Sequence, residues 1–325
     1  MNTTTLFRIS GLALVGAVAL SACGSSNTNT GSGSATGGGA AALSGEIIAD
    51  GSSTVQPLTA AAGELFGVEN RDVKISVATS GTGGGFKKFC QGATDISNAS
   101  RPIKAEEKKA CDKAGITFTE LRVATDALTV VASKDNAFLS CVTVAELKKI
   151  WEPAAEGKIK TWRQVNPSWP NEPLQLYGPG TDSGTFDYFT AEINGKEGAS
   201  RSDYNASEDD NVIVQGVSGS RQAMGYFGYT YFEENQDKLK AVQVDGGKGC
   251  VTPSADTAAN GTYVPLSRPL FIYVNKKAYT GKPQVKAFID FYVAKDEEIA
   301  KTAQFISLNE QQKADLTKAA AAIGS

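Results

Sequence analysis

The hydrophobic pattern alternates short apolar runs with amphipathic segments from residue 46 to the C-terminal region. Short runs rich in β-branched and aromatic residues predict strands, and apolar residues that recur every three or four positions predict helices. The predicted strands cover residues 46–50, 73–79, 95–97, 116–123, 126–133, 174–177, 224–229, 239–244 and 269–276. The predicted helices cover residues 55–66, 83–91, 104–113, 143–151, 184–193, 207–217, 231–238, 283–305 and 308–322.

This order of strands and helices indicates an α/β fold with a mostly parallel sheet and helices on both faces. Two predicted strands, 126–133 and 269–276, are interpreted as crossings between two α/β lobes. Lobe I then comprises residues 44–127 and 268–325, and lobe II comprises residues 128–267. Open α/β sheets bind ligands at the carboxyl ends of their strands, so we expect the ligand in the cleft between the lobes.

The N-terminal segment has the pattern of an export signal. Arg8 precedes an apolar run over residues 9–20, which is shorter than the roughly 20 residues that span a bilayer. The run ends in Leu20-Ser21-Ala22-Cys23, which resembles a bacterial lipobox. We expect a lipoprotein signal peptide over residues 1–22 and a lipid anchor on Cys23; the alternative is ordinary secretory cleavage after Ala22.

The segment after Cys23 consists almost entirely of Gly, Ser, Thr, Asn and Ala as far as residue 43. Such a composition cannot bury a core, so residues 23–43 are predicted to be a flexible tether. The folded part is therefore expected outside the cytoplasm, anchored by lipid to a bacterial membrane, in the periplasm or at the outer cell surface.

Composition excludes several kinds of chemistry. The chain has 325 residues, a formal charge of −3 and no histidine. The charge gives no electrostatic case for nucleic acid, and the lack of histidine removes Ser-His-Asp catalysis and His-ligated zinc. We expect no cofactor, no metal, no catalytic residue and a monomer.

Four cysteines follow Cys23: Cys90, Cys111, Cys141 and Cys250. An even number in an exported chain favours two disulfides, and the absence of a C-x-x-C spacing argues against a metal cluster. Three pairings are possible. We favour Cys90 with Cys111, because both end short predicted helices in one βαβα stretch, which leaves Cys141 to pair with Cys250.

Three Gly/Ser/Thr-rich stretches fall where a predicted strand leads into a predicted helix, at residues 50–54, 80–86 and 178–189. A helix start offers unpaired backbone N–H groups and the positive end of the helix dipole, to which these stretches add hydroxyls. Any one such turn is more often structural than functional. Three equivalent turns together predict a site for one oxyanion.

The candidate charged groups are one arginine and two carboxylates. Arg101, on a loop before Pro102, is expected to grip two oxyanion oxygens, the alternative being a surface salt bridge. Asp126 and Asp182 can each accept a hydrogen bond from a ligand oxygen that carries a proton. Asp182 is better interpreted as orienting Arg101 or capping its helix.

At these residues the sequence resembles the PstS family, the phosphate-binding proteins of bacterial phosphate ABC transporters. The resemblance rests on residues 51–58, on Ser80-Gly81-Thr82-Gly83 followed by Ala99-Ser100-Arg101, and on residues 180–186. It implies a type II periplasmic-binding-protein fold that closes on one phosphate and delivers it to a membrane permease. Carried over, the implied phosphate contacts are Ser53, Thr54, Ser80, Thr82, Ser183, Gly184 and Thr185.

The sequence departs from the best-known members of the family at two charged positions. Arg101 stands where they have an Asp, and Gly180 stands where they have an Arg. Asp126 is therefore the substitute candidate for the carboxylate that accepts the ligand's proton. The alternatives in function are a receptor for sulfate or molybdate, a phosphate-handling enzyme with Ser183 as nucleophile, and a sensor or adhesin on the same fold.

Overall fold

A nine-stranded mixed sheet and a separate three-stranded sheet organise the fold in a computed structural model that describes residues 42–181 and 183–324. The strands are β1 Gly45–Gly51, β2 Val73–Thr79, β3 Ile96–Ala99, β4 Phe118–Ser133, β5 Cys141–Thr143, β6 Gln175–Pro179, β7 Asn205–Ser207, β8 Ala223–Gly228, β9 Leu239–Ala241, β10 Gln243–Asp245, β11 Cys250–Val251 and β12 Ser267–Asn275.

Most of the helices have a polar residue at the N-cap, directly before the first helical residue. They are α1 Gln56–Gly67, α2 Gly81–Phe89, α3 Ala105–Lys113, α4 Val144–Trp151, α5 Trp162–Val165, α6 Gly184–Phe189, α7 Asp210–Ser218, α8 Tyr229–Glu234, α9 Ala255–Ala259, α10 Lys276–Gly281, α11 Pro283–Ala294, α12 Asp296–Thr302 and α13 Glu310–Ala321. A 3₁₀ turn covers Pro153–Ala155, and a π-helical turn, Thr190–Asn194, continues α6.

The large sheet has the order β2-β1-β3-β12-β4-β8-β6-β7, with β9 also paired to β4. Strands β2, β1 and β3 are parallel, as are β8, β6 and β7. Strands β12 and β4 run antiparallel to each other and join the two parallel groups. The predicted α/β class with two crossing strands is therefore confirmed.

Two large apolar clusters include different parts of β4, residues 121–124 in one and residues 128–132 in the other. The first draws its buried residues from 47–124 and from 270–323, with Phe66 and Phe288 in edge-to-face contact near its centre. The second draws on residues 128–266, with Trp151 packed edge-on against Tyr226. Apolar burial on this scale is the dominant stabilising term of a fold of this size.

Several predicted element limits are wrong. The strands predicted at 116–123 and 126–133 are one strand, β4, because it pairs with β12 from Phe118 to Ala127, with one β-bulge opposite Leu270 and Phe271. The helix predicted at 283–305 is two, since α11 ends at Ala294 and α12 begins at Asp296, with three acidic residues in its first turn. The loop predicted at 245–262 contains β11 and α9.

Both predicted disulfides are confirmed: Cys90 is bonded to Cys111, and Cys141 is bonded to Cys250. The first ties α2 to α3, and the second ties β5 to β11 in the three-stranded sheet. None of the helices in the described ranges is long and apolar enough to cross a bilayer. Residues 1–41, including the predicted signal peptide, Cys23 and nearly all of the tether, lie outside the described residues.

Candidate functional site

A cavity of about 690 Å³ brings the three predicted stretches together. Residues 52–54 follow β1 and line it as the first loop; residues 81–83, the start of α2, line it as the second loop. Gly184, the start of α6, belongs to the third loop. Of the predicted site residues, Ser53, Thr54, Thr82, Arg101 and Gly184 line this cavity, and Ser80, Asp126, Ser183 and Thr185 do not.

The first loop is fixed by a backbone reversal at Gly51. Its φ of 143° is one that side-chain-bearing residues rarely adopt, and a Cβ there would lie 2.1 Å from the carbonyl oxygen of Asn98. The Ser52 N–H donates to that same oxygen at 2.9 Å. The Ser52 carbonyl in turn accepts from the backbone N–H groups of Val55 and Gln56, which starts α1. The loop therefore presents Ser53 and Thr54 to the cavity.

The two predicted phosphate contacts of the second loop, Ser80 and Thr82, have different surroundings. Ser80 Oγ donates to Asp50 Oδ1 at 2.7 Å, and Asp50 also forms an ion pair with Lys88. Burial opposes ionisation of Asp50, but its bonds to Lys88 and Ser80 hold its pKa below the usual value. Ser80 therefore braces the loop, whereas Thr82 Oγ1 lies 3.1 Å from Ser100 Oγ at the cavity wall.

The third loop lies next to the first loop. Ser183 caps α6, its Oγ accepting from the Thr185 N–H at 3.2 Å, and a Cβ on Gly184 would lie only 3.4 Å from Thr54 Oγ1. Thr185 lines a separate cavity of about 150 Å³ together with Asp126. Asp182 lies outside the described residues.

The departure from the PstS pattern at Gly180 has a structural counterpart. A Cβ at that position would lie 1.9 Å from Glu208 Oε1. The carboxylate of Glu208 therefore fills the space into which a longer side chain at residue 180 would extend.

Arg101 lines the cavity but is engaged in an ion pair. Its Nη1 and Nη2 donate to the two carboxylate oxygens of Glu107 at 2.8 and 2.7 Å, and Nη1 also donates to the Pro102 carbonyl. Although burial opposes it, the Arg101 guanidinium lowers the pKa of Glu107. The sequence left open a ligand contact or a salt bridge for Arg101, and the structure contains the salt bridge.

A second arginine, which the sequence reasoning missed, stands in the cavity on a crossing strand. Arg268 of β12 lies opposite Asp126 of β4 in register, and its Nε donates to Asp126 Oδ2 at 3.1 Å. Its Nη2 donates to Thr54 Oγ1 at 2.9 Å. Its Cζ lies 3.6 Å from the centre of the Tyr188 ring, a cation–π contact. The signal available in the sequence was a charged residue, Arg268, directly before the predicted crossing strand 269–276.

Three acidic side chains also line the cavity. They are Asp187 of α6, Glu192 of the π-helical turn that continues α6, and Glu197. Burial, and then the neighbouring charge of Glu197, raise the pKa of Asp187, while Arg268 opposes that shift. Within the described residues, no group of three or more acidic or cysteine side chains is arranged to hold a metal ion.

Two half-sheets joined by crossing strands, with three helix starts facing one shared cavity, define a solute-binding protein of the periplasmic-binding-protein type. Residues 28–296 match the family model described as the PBP superfamily domain. The chain is 45% identical over 265 residues to the phosphate-binding protein PstS of Staphylococcus saprophyticus, covering 81% of each chain. It is 51% identical over 263 residues to the protein SphX of Synechococcus elongatus, covering 81% of this chain and 77% of that one.

A solved structure supports the same assignment. The crystal structure of "a possible phosphate binding protein" from Planctomyces limnophilus superposes with a TM-score of 0.82 at 47% identity, covering 87% of this chain and all of that one. The chain therefore belongs to the PBP superfamily and, within it, to the PstS family of phosphate-binding proteins.

Proposed function

We propose that this protein binds inorganic phosphate outside the cytoplasmic membrane and delivers it to the permease of an ABC transporter. The observation that carries the proposal is the convergence of three helix-start loops on one cavity that both parallel groups of strands help to form. Backbone N–H groups and hydroxyls at helix starts bind a tetrahedral oxyanion without needing a net positive protein. The relatives named as phosphate-binding proteins favour phosphate among the oxyanions.

In this proposal, Ser53, Thr54, Thr82 and Gly184 contact the ligand, because they line the cavity. Ser80 and Ser183 hold the second and third loops in shape through their bonds to Asp50 and to the Thr185 N–H. Thr185 contributes its backbone N–H, which donates to Ser183 Oγ at the start of α6. Arg101 lines the cavity, where its guanidinium is paired with Glu107.

We propose lobe limits of 44–127 with 268–325 for one lobe and 128–267 for the other. The two large apolar clusters, which draw on 47–124 with 270–323 and on 128–266, support this division. Ligand-dependent closure would then bend the chain at β4 and β12, where the lobes meet. We further propose that the protein acts as a monomer anchored to a bacterial membrane through lipid on Cys23.

We propose a receptor and not an enzyme. Ser183, the one candidate nucleophile, is engaged in capping its own helix through Oγ, and the chain has no histidine to activate it. The test is hydrolysis of a phosphomonoester by the purified protein. Turnover that Ser183→Ala abolishes would replace the receptor with an enzyme.

The binding test is calorimetric titration of the purified protein, stripped of bound ligand, with phosphate and then with sulfate and molybdate. We expect one-to-one binding of phosphate and no heat from sulfate. Preference for sulfate or molybdate would identify a receptor for a different oxyanion. The absence of heat from all three ligands would contradict the proposal that the three loops form a binding site.

A further inference from the structure

The cavity has two basic side chains among the described residues that line it, Arg101 and Arg268. The two guanidinium groups differ in how much of their charge is available to a bound anion. Both oxygens of Glu107 are bound to Arg101 in a bidentate pair, which largely neutralises that guanidinium toward a ligand. An oxyanion at the three loops would therefore gain little from Arg101 unless the pair with Glu107 opened.

Arg268 retains more of its binding capacity. A guanidinium has five N–H donors, and the contacts of Arg268 with Asp126 and Thr54 use two of them. The remaining three make no hydrogen bond to any protein atom in the described part of the chain. Arg268 lines the cavity beside Thr54, so these donors stand next to a predicted phosphate contact.

The position of the Asp126 carboxylate indicates that it supports Arg268 and does not contact the ligand directly. It is buried in β4, with its side chain only 8% exposed, and does not line the large cavity. It accepts from Arg268 Nε, the donor at the base of the guanidinium. A contact there fixes the direction of the group while leaving the outer nitrogens for another acceptor.

Arg268 also contacts residues on both sides of the cleft. It reaches Thr54 in the first loop and stacks on Tyr188 of α6. Tyr188 is itself held, its hydroxyl donating to the Pro265 carbonyl at 2.7 Å. A guanidinium fixed by three groups loses little conformational freedom when it binds an anion.

We propose that Arg268 supplies the positive charge that binds the phosphate and that Asp126 is the positioning residue that directs the Arg268 guanidinium into the cavity. This inference rests on the proposed phosphate-binding function. It moves the charge from a loop to a crossing strand and removes Asp126 from direct contact with the ligand.

The first test is calorimetric titration of phosphate into the full chain and into Arg268→Gln. We expect the dissociation constant to rise at least about tenfold in the variant, because a charge-assisted contact is lost. Arg221→Gln is the matched control, since it removes the same charge from an arginine that pairs with Glu172 and is 63% exposed outside the cavity. Unchanged affinity in a folded Arg268→Gln variant would overturn the proposal.

A second variant guards against failure to fold. Arg268→Lys keeps the charge and most of the volume but cannot bind Asp126, Thr54 and phosphate through one planar fork. We expect it too to bind phosphate more weakly, with circular dichroism confirming the fold. Wild-type affinity in this variant would also overturn the role of the guanidinium.

The role of Asp126 needs a double-mutant cycle, because a purely structural residue would also weaken binding when changed. Asp126→Asn is expected to raise the dissociation constant about three- to tenfold in the native background and to have almost no further effect in Arg268→Gln. Equal losses in both backgrounds would refute positioning through Arg268. If the unchanged chain does not bind phosphate at all, it is the proposed function that fails; if it does bind but is insensitive to Arg268, only this inference fails.

Discussion

Gly85 of α2 lies against Gly51 of β1 so closely that a Cβ on Gly85 would be 2.5 Å from the Cα of Gly51. The same Cβ would lie 3.0 Å from both the Asp50 carbonyl oxygen and Ser97 Oγ. The neighbouring atoms include backbone, which cannot rotate away as a flexible side chain can. This contact holds the start of α2 next to the end of β1 and thereby sets the spacing between the first and second loops.

The first prediction concerns this contact. Gly85→Ala should force α2 away from β1 and destabilise the fold by about 1–3 kcal/mol, the usual cost of overpacking. It should also weaken phosphate binding, because Thr82 moves relative to Thr54. Urea unfolding and calorimetric titration of the same sample measure the two effects.

Gly67→Ala is the control for that prediction. Gly67 ends α1, and a Cβ there would meet nothing within 4 Å. The added methyl should be neutral or stabilise by up to about 1 kcal/mol, because alanine loses less backbone freedom than glycine. If Gly85→Ala behaves like Gly67→Ala, the close approach of α2 to β1 does not shape the site.

The second prediction concerns the Tyr188 ring beneath Arg268. Tyr188→Leu removes the aromatic face on which the guanidinium lies, 3.6 Å from the ring centre, and should weaken phosphate binding several-fold. Tyr188→Phe keeps the ring but loses the bond to Pro265, so it should lower stability by about 1 kcal/mol while keeping most of the affinity. Equal affinities for the Leu and Phe variants would contradict a role for the cation–π contact.

How far the sequence predicted the site depends on how local each feature is. The three loops were found because a strand end, a Gly/Ser/Thr turn and a helix start are adjacent in the chain. The capping box at the start of α4 is equally local, because Thr143 and Glu146 are three residues apart. The pairing of Cys90 with Cys111 follows from two short helices that are consecutive along the chain.

Arg268 was missed because its position depends on a long-range strand register. It faces Asp126, 142 residues away, only because β12 and β4 pair antiparallel with these two residues opposite each other. The direction of a side chain is also hard to predict from sequence: the hydroxyl of Ser80, a predicted phosphate contact, donates to Asp50. The continuity of β4 was missed for the same reason, since pairing with β12 carries the strand through residues 124 and 125.

The third prediction concerns pH and the smaller cavity. Burial, and then the charges of Asp209 and Glu208, raise the pKa of Asp210 to about 6. The folded chain therefore holds this proton at a pH where the unfolded chain has released it. Its contribution to stability is present below about pH 4 and is lost as the pH rises through about 6.

Asp210→Asn should accordingly raise the free energy of unfolding at pH 7.5 by about 1–2 kcal/mol and change it little at pH 4. Urea unfolding at the two pH values measures the difference. Asp315→Asn is the control, because it makes the same substitution at an exposed position on α13. An equal effect of Asp210→Asn at both pH values would contradict the raised pKa.

The last prediction concerns how the site distinguishes phosphate from sulfate. Asp126 was the expected proton acceptor, but its carboxylate is bound to Arg268 and does not line the large cavity. Asp187 does line it, on α6 close to the third loop, and lies within electrostatic range of Arg268. A carboxylate there can accept a hydrogen bond from the P–O–H group of phosphate. It repels sulfate, which carries no proton at neutral pH.

Asp187→Asn should therefore weaken phosphate binding and allow sulfate to bind, because the amide can donate to an unprotonated oxygen. We expect the ratio of the sulfate and phosphate dissociation constants to fall at least about tenfold in calorimetric titrations at pH 7.5. Asp237→Asn removes the same charge from an exposed residue outside the cavity and should leave the ratio unchanged. If the ratio in Asp187→Asn also stays at its native value, selection against sulfate does not depend on this carboxylate and must come from the geometry of the three loops.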